Sequence, residues 1–314
     1  MNGNLGRDKI WTNQPQIWAD IDKALNETIG PVRVAQKVFP TISTPGAPNV
    51  TTNQALPAAG VGDRFVIPEA GPVLFLEIST QFLLTQNQVD NESTLHSAID
   101  AVRDASRRLA QAEDLLIFNG QAVALPPGVT VTNLASARNG LLGEAFVARP
   151  VPQNPAPAGG GPPVPVWQTY NEVMQGISVN LDGNGRPAPF ALVLAPLVHG
   201  DTTSPFMPTV PVTVRDRLLP ELKGGIYSSV ALAGPGPALG AAPVGRARTG
   251  GGGGQVQHRG LLISLAGNPT TLQVAQDAVV QYIPDTSGNH IFRVVERIQW
   301  VARDAQALVR LEFM

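Results

Sequence analysis

The chain has 314 residues, a formal net charge of −2 at pH 7 and only 15% charged residues. This balance gives no electrostatic basis for binding nucleic acid or a membrane surface, since both select clustered positive charge. The sequence contains no cysteine, which excludes disulfides, thiolate metal sites and cysteine nucleophiles. Residues 1–10 hold no apolar run of signal-peptide length, and no run of about 18 apolar residues occurs, so we expect a soluble chain that is not exported.

The pattern of residues 13–29 predicts the first helix. Asn13 is the candidate cap, Pro15 falls in the first turn, and Gly30-Pro31 should end the helix. The apolar residues lie on one face: Ile17, Trp18, Ile21, Leu25 and Ile29. A helix this short cannot form a core of its own, so it must dock on its own domain or on a neighbouring subunit.

The next segment predicts a strand, then a long arm. Alternation over residues 32–39 is strand-like, and residues 40–62 are a loop rich in Pro, Thr, Asn and Ala. A loop of this length inside a compact domain is uncommon and often functional. Residues 65–67 and 73–84 are again strand-like.

One long amphipathic helix is predicted over residues 92–120. Ser93 or Thr94 is the candidate cap, and Asn119-Gly120 is a candidate left-handed stop. A helix of roughly 25 residues spans about 38 Å. Among short strands such a helix is a spine rather than one member of a bundle. Its apolar face is formed by Leu95, Ile99, Val102, Leu109, Ala112 and Leu116.

The remainder of the chain is predicted to be mostly strands. Residues 120–165 should be irregular, with a Pro- and Gly-rich surface insertion at 150–165. Helices are expected at 167–179 and 212–222. Strands are expected at 190–195, 226–232, 260–266, 272–283, 291–302 and 307–313.

Motifs that carry chemistry are mostly missing. Gly250 to Gly254 resembles a phosphate-binding loop only in composition, because no Gly-Lys-Ser/Thr closes it. The histidines have no second ligand at metal spacing, so we expect surface or hydrogen-bonded roles for His96, His199, His258 and His290.

The best acid pair, Glu113-Asp114, consists of adjacent helical residues that diverge by about 100° and do not face one another. We expect salt bridges to Arg107, Arg108 or another segment. No catalytic residue is predicted.

Four segments resemble the encapsulins, a family of bacterial and archaeal shell proteins that shares the capsid fold of tailed phages named for bacteriophage Hong Kong 97. The N-terminal helix carries Trp18, Ile21 and Asp22 in the matching places. The spine helix has the acidic, Ile-Phe-x-Gly end of the family, here Glu113, Asp114, Ile117, Phe118 and Gly120. The four segments are residues 15–25, 73–84 with 109–120, 189–196 and 292–313.

The resemblance implies an α+β, phage major-capsid-like fold, many copies of which close into a hollow icosahedral particle. Burial favours assembly independently, since the N-terminal helix, the arm and the Gly/Pro loops are hard to bury within one subunit but easy to bury between subunits. The implied divisions are an N-terminal helix and arm (1–39), an extended loop (40–72), a peripheral domain with the spine helix and the insertion (73–166), an axial domain (167–266) and C-terminal strands that return to the peripheral domain and extended loop (267–314).

Encapsulins capture cargo enzymes through a short C-terminal peptide of the cargo, which docks beside the N-terminal helix. The following segment often carries Arg-Lys and then Asp, but here residues 36–40 read Gln-Lys-Val-Phe-Pro, so the polar half of that contact is not transferred. The resemblance leaves an apolar cargo-peptide groove at Trp18, Ile21, Leu25, Val38 and Phe39. Some members bind a flavin through a Trp before the spine helix. Asn87 stands there in this chain, so we predict no flavin, no other cofactor and no metal.

These observations predict a non-enzymatic shell protein of a cytoplasmic encapsulin nanocompartment, a homo-oligomer that encloses a cargo enzyme such as a peroxidase or a ferritin-like protein. The N-terminal helix favours this reading, since phage capsid proteins generally carry a removable scaffolding region there. The alternative is a major capsid protein of a tailed phage or prophage that encloses DNA in a virion, which the altered docking segment and the extra loops favour. A soluble α+β enzyme is the third candidate.

Overall fold

The structure is a computed structural model and describes residues 5–53, 69–154, 165–207, 210–234, 258–284 and 289–314. The helices are α1 (Pro15–Val32), α2 (Ala35–Val38), α3 (Gln86–Asp90), α4 (Glu92–Leu95), α5 (Ser97–Asn119), α6 (Gly140–Glu144), α7 (Thr169–Gln175), α8 (Pro196–Asp201) and α9 (Val214–Leu218). The strands are β1 (Thr41–Ser43), β2 (Asn49–Asn53), β3 (Glu69–Leu74), β4 (Leu76–Leu84), β5 (Val129–Thr132), β6 (Val147–Val151), β7 (Phe190–Leu194), β8 (Pro205–Met207), β9 (Val210–Thr213), β10 (Gly225–Ser228), β11 (His258–Ser264), β12 (Thr270–Pro284), β13 (His290–Ala302) and β14 (Leu308–Phe313).

Two five-stranded sheets form the frame. The first has the order β1-β12-β13-β4-β5, in which all neighbours are antiparallel except β1 and β12. The second has the order β10-β7-β11-β14-β6, and its interior strand β7 is buried at every position. Two-stranded ribbons, β2-β3 and β8-β9, accompany them. The predicted α+β architecture therefore rests on two sheets.

Helix α5 links the two sheets. Its first half packs on β4 and β13 and buries one stripe, which includes Ala98, Val102 and Ala105. From Leu109 to Asn119 nearly every residue is buried, because α1, α6 and the short turn Val230–Leu232 also pack against this half. The spine helix is confirmed, and its second half runs through the core instead of along the edge of the sheet.

Two glycines allow α5 to end where it does. Gly120 has a φ of 76°, and a Cβ built there would lie 2.4 Å from the Arg138 carbonyl oxygen. Gly140 has a φ of 66°, and its Cβ would lie 2.4 Å from the Gly120 nitrogen. The two backbones therefore cross without room for a side chain. The predicted stop at Gly120 is confirmed in position, although its ψ of −159° is extended rather than left-handed helical.

The predicted caps of the spine helix, Ser93 and Thr94, are wrong. A separate turn, α4, precedes α5, and His96 between them has a φ of 52°. The buried Glu92 carboxylate accepts hydrogen bonds from the Ala98 backbone N–H at 2.9 and 3.0 Å. The left-handed conformation of His96 separates the two helices, and the cap of α5 comes from Glu92, six positions before Ala98.

The strand predicted over residues 32–39 is also wrong, because this segment contains α2. The first helix continues past Gly30, with Pro31 in its last turn, to Val32. Residues 40–62 were expected to be loop, but β1 and β2 lie in their described part, and the strand expected at 65–67 lies outside the described residues.

Other boundaries differ because strands pair with distant partners. The strand predicted over 73–84 divides at Phe75, since β3 pairs with β2 and β4 pairs with β13. Residues 129–151 are not irregular: β5 extends the first sheet beside β4, and β6 extends the second beside β14. The helix expected at 212–222 is reduced to α9, which follows β9.

The strands predicted at 190–195, 260–266, 272–283, 291–302 and 307–313 are confirmed to within two residues. The strand predicted at 226–232 is confirmed only as far as Ser228, because a 3-10 turn follows. The helix predicted at 167–179 is confirmed as α7 and a π-helical turn that continues it, Gly176–Leu181.

Of the two docking sites that the sequence left open for α1, its own domain and a neighbouring subunit, the structure shows the first, so burial between subunits is not needed to cover its apolar face. The five apolar residues of its predicted face are all buried within the chain, and the helix packs against α5 and β12. Its outward face carries Gln16, Lys23 and Glu27, which are exposed. The arm predicted over residues 40–62 is less covered than α1 where it is described. All three residues of β1 are exposed, and the Ile42 side chain is 40% exposed.

Candidate functional site

The five residues predicted to line a cargo-peptide groove all lie in one hydrophobic core. Ile21 is fully buried, and Trp18, the most accessible of the five, is only 8% exposed. The Trp18 indole N–H donates to the Ile10 carbonyl oxygen at 3.2 Å. The structure thus brings the five together as packed core, and the cargo-peptide groove remains a prediction.

An aromatic cluster fixes the first turns of α1. Trp11 packs on Trp18 with ring centroids 5.4 Å apart and stacks on Phe292 at 5.5 Å. Phe82 stacks on the same Phe292 at 5.2 Å. The Arg7 guanidinium lies 4.7 Å above the Trp18 ring and makes two 2.7 Å hydrogen bonds to Asp22. These contacts fasten α1 to β4 and β13.

The main polar feature is the Arg33 cluster, which consists of Arg33, Gln36, Glu113, Asp277 and Glu296. Arg33 follows α1, and its Nε lies 2.5 Å from a Glu113 oxygen on α5. Its Nη1 lies 2.9 Å from Asp277 on β12, and its Nη2 forms an ion pair with Glu296 on β13. Gln36 donates to the second Glu113 oxygen at 2.9 Å. One guanidinium therefore joins the N-terminal segment to three other elements.

Burial makes this cluster electrostatically important. Glu113 and Glu296 have side chains 0% and 2% exposed. Burial raises the pKa of both carboxyl groups, and Arg33 opposes this rise. Burial also disfavours the Arg33 charge, but Glu296, Glu113 and Asp277 more than offset that effect and raise its pKa.

Asp114, the next residue of α5, makes a second connection. Its carboxylate accepts from the backbone N–H groups of Val34 and Ala35 at 3.0 to 3.1 Å, and from the Ser229 hydroxyl at 3.1 Å. It thereby caps α2 and connects α5 to the chain that follows β10. Burial, aided by the Glu113 charge, raises the pKa of Asp114 to about 7 even though the N–H donors oppose this.

The end of α5 is held by a buried polar pair. Asn119 donates to the Ala231 carbonyl oxygen at 2.7 Å and accepts from the Arg259 guanidinium at 2.6 Å. Arg259 also donates to the Gly234 carbonyl oxygen at 3.0 Å. Burial, with a contribution from Arg310, lowers the pKa of Arg259 to about 10.

The salt-bridge role predicted for the acid pair is confirmed for Glu113, but its partner is Arg33. Arg108 pairs instead with Asp104. The sequence reasoning missed Arg33 and Glu296. A signal for Glu296 existed, because alternation in β13 places it on the face of Val294 and Ile298, both buried. A carboxylate on an inward face requires a buried partner.

The described residues contain no group of three or more His, Asp or Glu side chains that could hold a metal ion. The His290 ring lies within hydrogen-bond distance of the Tyr282 hydroxyl and of Gln86, as expected for a hydrogen-bonded histidine. Gly250 to Gly254 lie outside the described residues. Where the chain is described, no helix has the length and apolar character needed to cross a bilayer.

Comparison with known families supports the resemblance seen in the sequence. Residues 4–138 match the family described as an encapsulating protein for peroxidase. This match covers α1, the arm and all of α5. A comparison of the sequence with curated proteins gives no match.

Solved structures agree on the fold. The virus-like particle from Pyrococcus furiosus is 14% identical with a TM-score of 0.62, covering 94% of this chain and 99% of that chain. The capsid of the Myoviridae phage XM1 is 10% identical with a TM-score of 0.56, covering 90% and 92%. The holo-SrpI encapsulin complex from Synechococcus elongatus is 12% identical with a TM-score of 0.53, covering 91% and 88%. The family match and these likenesses confirm both the encapsulin resemblance and the capsid-like fold.

Proposed function

Because the chain has the capsid-like fold shared by encapsulins and tailed-phage capsids, we propose that it is the self-assembling shell protein of an encapsulin nanocompartment. Many copies close into a hollow icosahedral particle that encloses a cargo enzyme in the cytoplasm. The chain itself is not an enzyme, and any chemistry belongs to the cargo. The divisions into N-terminal arm, extended loop, peripheral domain, axial domain and C-terminal strands belong to this proposal.

The observation that carries the proposal is the integration of α1 into the folded subunit. Arg33 connects the end of α1 to α5, β12 and β13, and Asp114 holds the segment that follows. A removable N-terminal scaffold would not share a buried charge network with the core of the subunit. The family match begins at residue 4 and therefore includes α1.

The arm supports assembly. β1 is an edge strand of only three residues, all exposed, and Leu74 at the end of the β2-β3 ribbon is 47% exposed. Edge strands and apolar side chains of this kind are readily covered by another copy of the chain.

Cargo capture by a terminal peptide remains part of the proposal, with a peroxidase or a ferritin-like protein as the class of cargo. The residues predicted to contact the peptide are buried, and they are not accessible to it in the closed subunit: Trp18, Ile21, Leu25, Val38 and Phe39. A cargo peptide would then contact the polar outer face of α1, and binding should be more polar than the sequence alone implies.

Negative-stain electron microscopy and light scattering of the purified protein test assembly. We expect closed, uniform, hollow particles at micromolar concentration. Monomers at that concentration would refute the proposal. Mass spectrometry of particles from the native host should then identify an enclosed enzyme.

The second candidate is a major capsid protein of a tailed phage or prophage. The XM1 capsid favours it, because its likeness to this chain is of the same order as that of the encapsulin complex. Nuclease treatment of native particles separates the two: protected DNA indicates a capsid in a virion, and enclosed protein without DNA indicates a nanocompartment.

A further inference from the structure

The Arg33 cluster joins three separate parts of the chain. Arg33 lies just after α1, Glu113 lies in the middle of the core half of α5, and Asp277 and Glu296 lie on the adjacent strands β12 and β13. Within the described residues, the Arg33 guanidinium makes every polar contact between the end of α1 and the first sheet.

The charges in this cluster do not balance. One cation faces three carboxylates, of which Asp277 is 74% exposed and can be hydrated. Glu113 and Glu296 have no such access to water. With both ionised, the buried set of Arg33, Glu113 and Glu296 carries a net charge of −1, and a buried uncompensated charge costs several kcal/mol.

A second observation identifies where the imbalance lies. The Glu296 Oε1 atom is buried and has no hydrogen-bond partner, although its Oε2 pairs with Arg33. Glu113 Oε1 accepts a hydrogen bond from Gln36, and Glu113 Oε2, although it has no partner in hydrogen-bond geometry, lies 2.5 Å from Arg33 Nε in an ion pair. An unpartnered oxygen on a buried carboxylate favours the neutral acid over the anion.

We propose that Glu113 and Glu296 share one proton while α1 is docked, and that losing this proton in alkaline solution loosens the joint between α1 and the first sheet. The two carboxyl groups interact with the same guanidinium and titrate as a pair. The inference goes beyond the proposed shell function and does not depend on it, because all the groups belong to one chain.

Within the described residues, three charged groups face the pair. Arg33 follows α1, Asp277 lies on β12, and Asp114 lies beside Glu113 on α5. Arg33 lowers the pKa values of the pair, whereas Asp277 raises them. Because the folded-state pKa values are raised, the stability they contribute is fully present below the ordinary glutamate pKa and is lost as the pH rises through the folded values.

Hydrogen exchange of the purified protein, in whatever assembly it forms, tests the joint. Protection of α1 amides is measured at about pH 6 and about pH 9 and corrected for the intrinsic exchange rate. We expect opening of α1 to increase between these two pH values, by about tenfold for each unit by which the raised pKa of the pair exceeds the lower pH. Amides of β7, in the other sheet, should not change.

Glu296→Gln removes one of the two paired carboxyl groups with little change in shape, so the pH response of α1 should fall to the part that Asp114, whose pKa is about 7, contributes. Glu27→Gln is the matched control, because Glu27 is exposed on the outer face of α1 and only 4.0 Å from Lys23. This control should retain the full response. Equal α1 protection at both pH values in the unmodified protein would overturn the proposal, as would an unchanged response in Glu296→Gln.

Asp277→Asn provides a second measurement if Glu296→Gln does not fold. Asp277 is exposed, so the fold should tolerate the change. Loss of its charge lowers the pKa values of the pair and should reduce the pH response of α1 severalfold. A response equal to that of the unmodified protein would also refute the shared proton.

Discussion

Replacing Gly120 with alanine should be among the most damaging small changes in this chain. A Cβ at this position would lie 2.4 Å from the Arg138 carbonyl oxygen, 2.4 Å from the Asn139 carbonyl carbon and 2.5 Å from the Gly140 nitrogen. All three are backbone atoms, so no side chain can rotate away. The conformation itself, with φ 76° and ψ −159°, is close to a region that only glycine adopts readily.

The magnitude follows from these two costs. Backbone strain of this kind costs about 1–3 kcal/mol, and forcing a methyl group into packed structure costs about 1–3 kcal/mol more. Gly120→Ala should therefore lower the free energy of unfolding by about 2–6 kcal/mol. Urea denaturation followed by tryptophan fluorescence measures this, with both proteins at the same concentration because assembly adds to apparent stability.

Gly200→Ala is the matched control. Gly200 lies in α8, and a Cβ there meets no atom within 4 Å. Alanine should leave stability unchanged or raise it by up to about 1 kcal/mol, since it is the better helix former. If Gly120→Ala were as stable as this control, the close approach of the two backbones at Gly120 would not exist.

Three further changes test the polar contacts of α5. Arg33→Met leaves Glu113 and Glu296 buried without a counter-ion and should cost about 3–5 kcal/mol in urea denaturation at neutral pH, with partial recovery in acid. In the unmodified protein the free energy of unfolding should fall as the pH rises, because the stability that protonated Asp114 contributes is complete below about pH 4 and is lost as the pH rises to about 7. Asp114→Asn should remove this fall, which amounts to up to about 4 kcal/mol. Glu92→Ala removes the α5 cap and should cost about 1 kcal/mol in thermal or urea unfolding.

Each of these has an outcome that contradicts the reasoning. An Arg33→Met protein with unmodified stability would mean that the buried glutamates are not ionised in the presence of Arg33. A pH profile of Asp114→Asn that parallels the unmodified protein between about pH 4 and pH 7 would exclude titration of Asp114 in that range. Thr94→Ala should leave the free energy of unfolding unchanged. Equal losses of stability in Thr94→Ala and Glu92→Ala would mean that Thr94 caps the spine helix, as the sequence predicts.

Periodic segments could be predicted from the sequence because their pattern reflects one buried face. The spine helix and the long strands β12 and β13 were found in this way. The short helix α2 could not be found, because its first N–H groups are capped by Asp114, which lies about 80 positions away in the chain. Alternating apolar residues in the same segment predict a strand when that distant carboxylate is not known.

The residues of the predicted groove were likewise only partly predictable from the sequence. Apolar periodicity placed Trp18, Ile21 and Leu25 on one face of α1, and the structure confirms that they share a face. Whether that face meets water, a partner or the chain's own core is not contained in a local pattern. The sequence left open its own domain, a neighbouring subunit and a cargo peptide, and the structure shows that α5 and β12 cover it within the chain.

The sequence by itself therefore determined the spine helix, the main strands and the family resemblance, since these depend on residue spacing within one segment. Only the tertiary structure decided that Arg33 faces Glu113, Asp277 and Glu296, residues that are 80 to 263 positions away in the chain. Charge pairing acts through space at a few ångströms, and burial strengthens it by excluding water. For this reason the Arg33 cluster, which fastens the N-terminal helix, can be recognised only in the tertiary structure, where the sheets and α5 lie together.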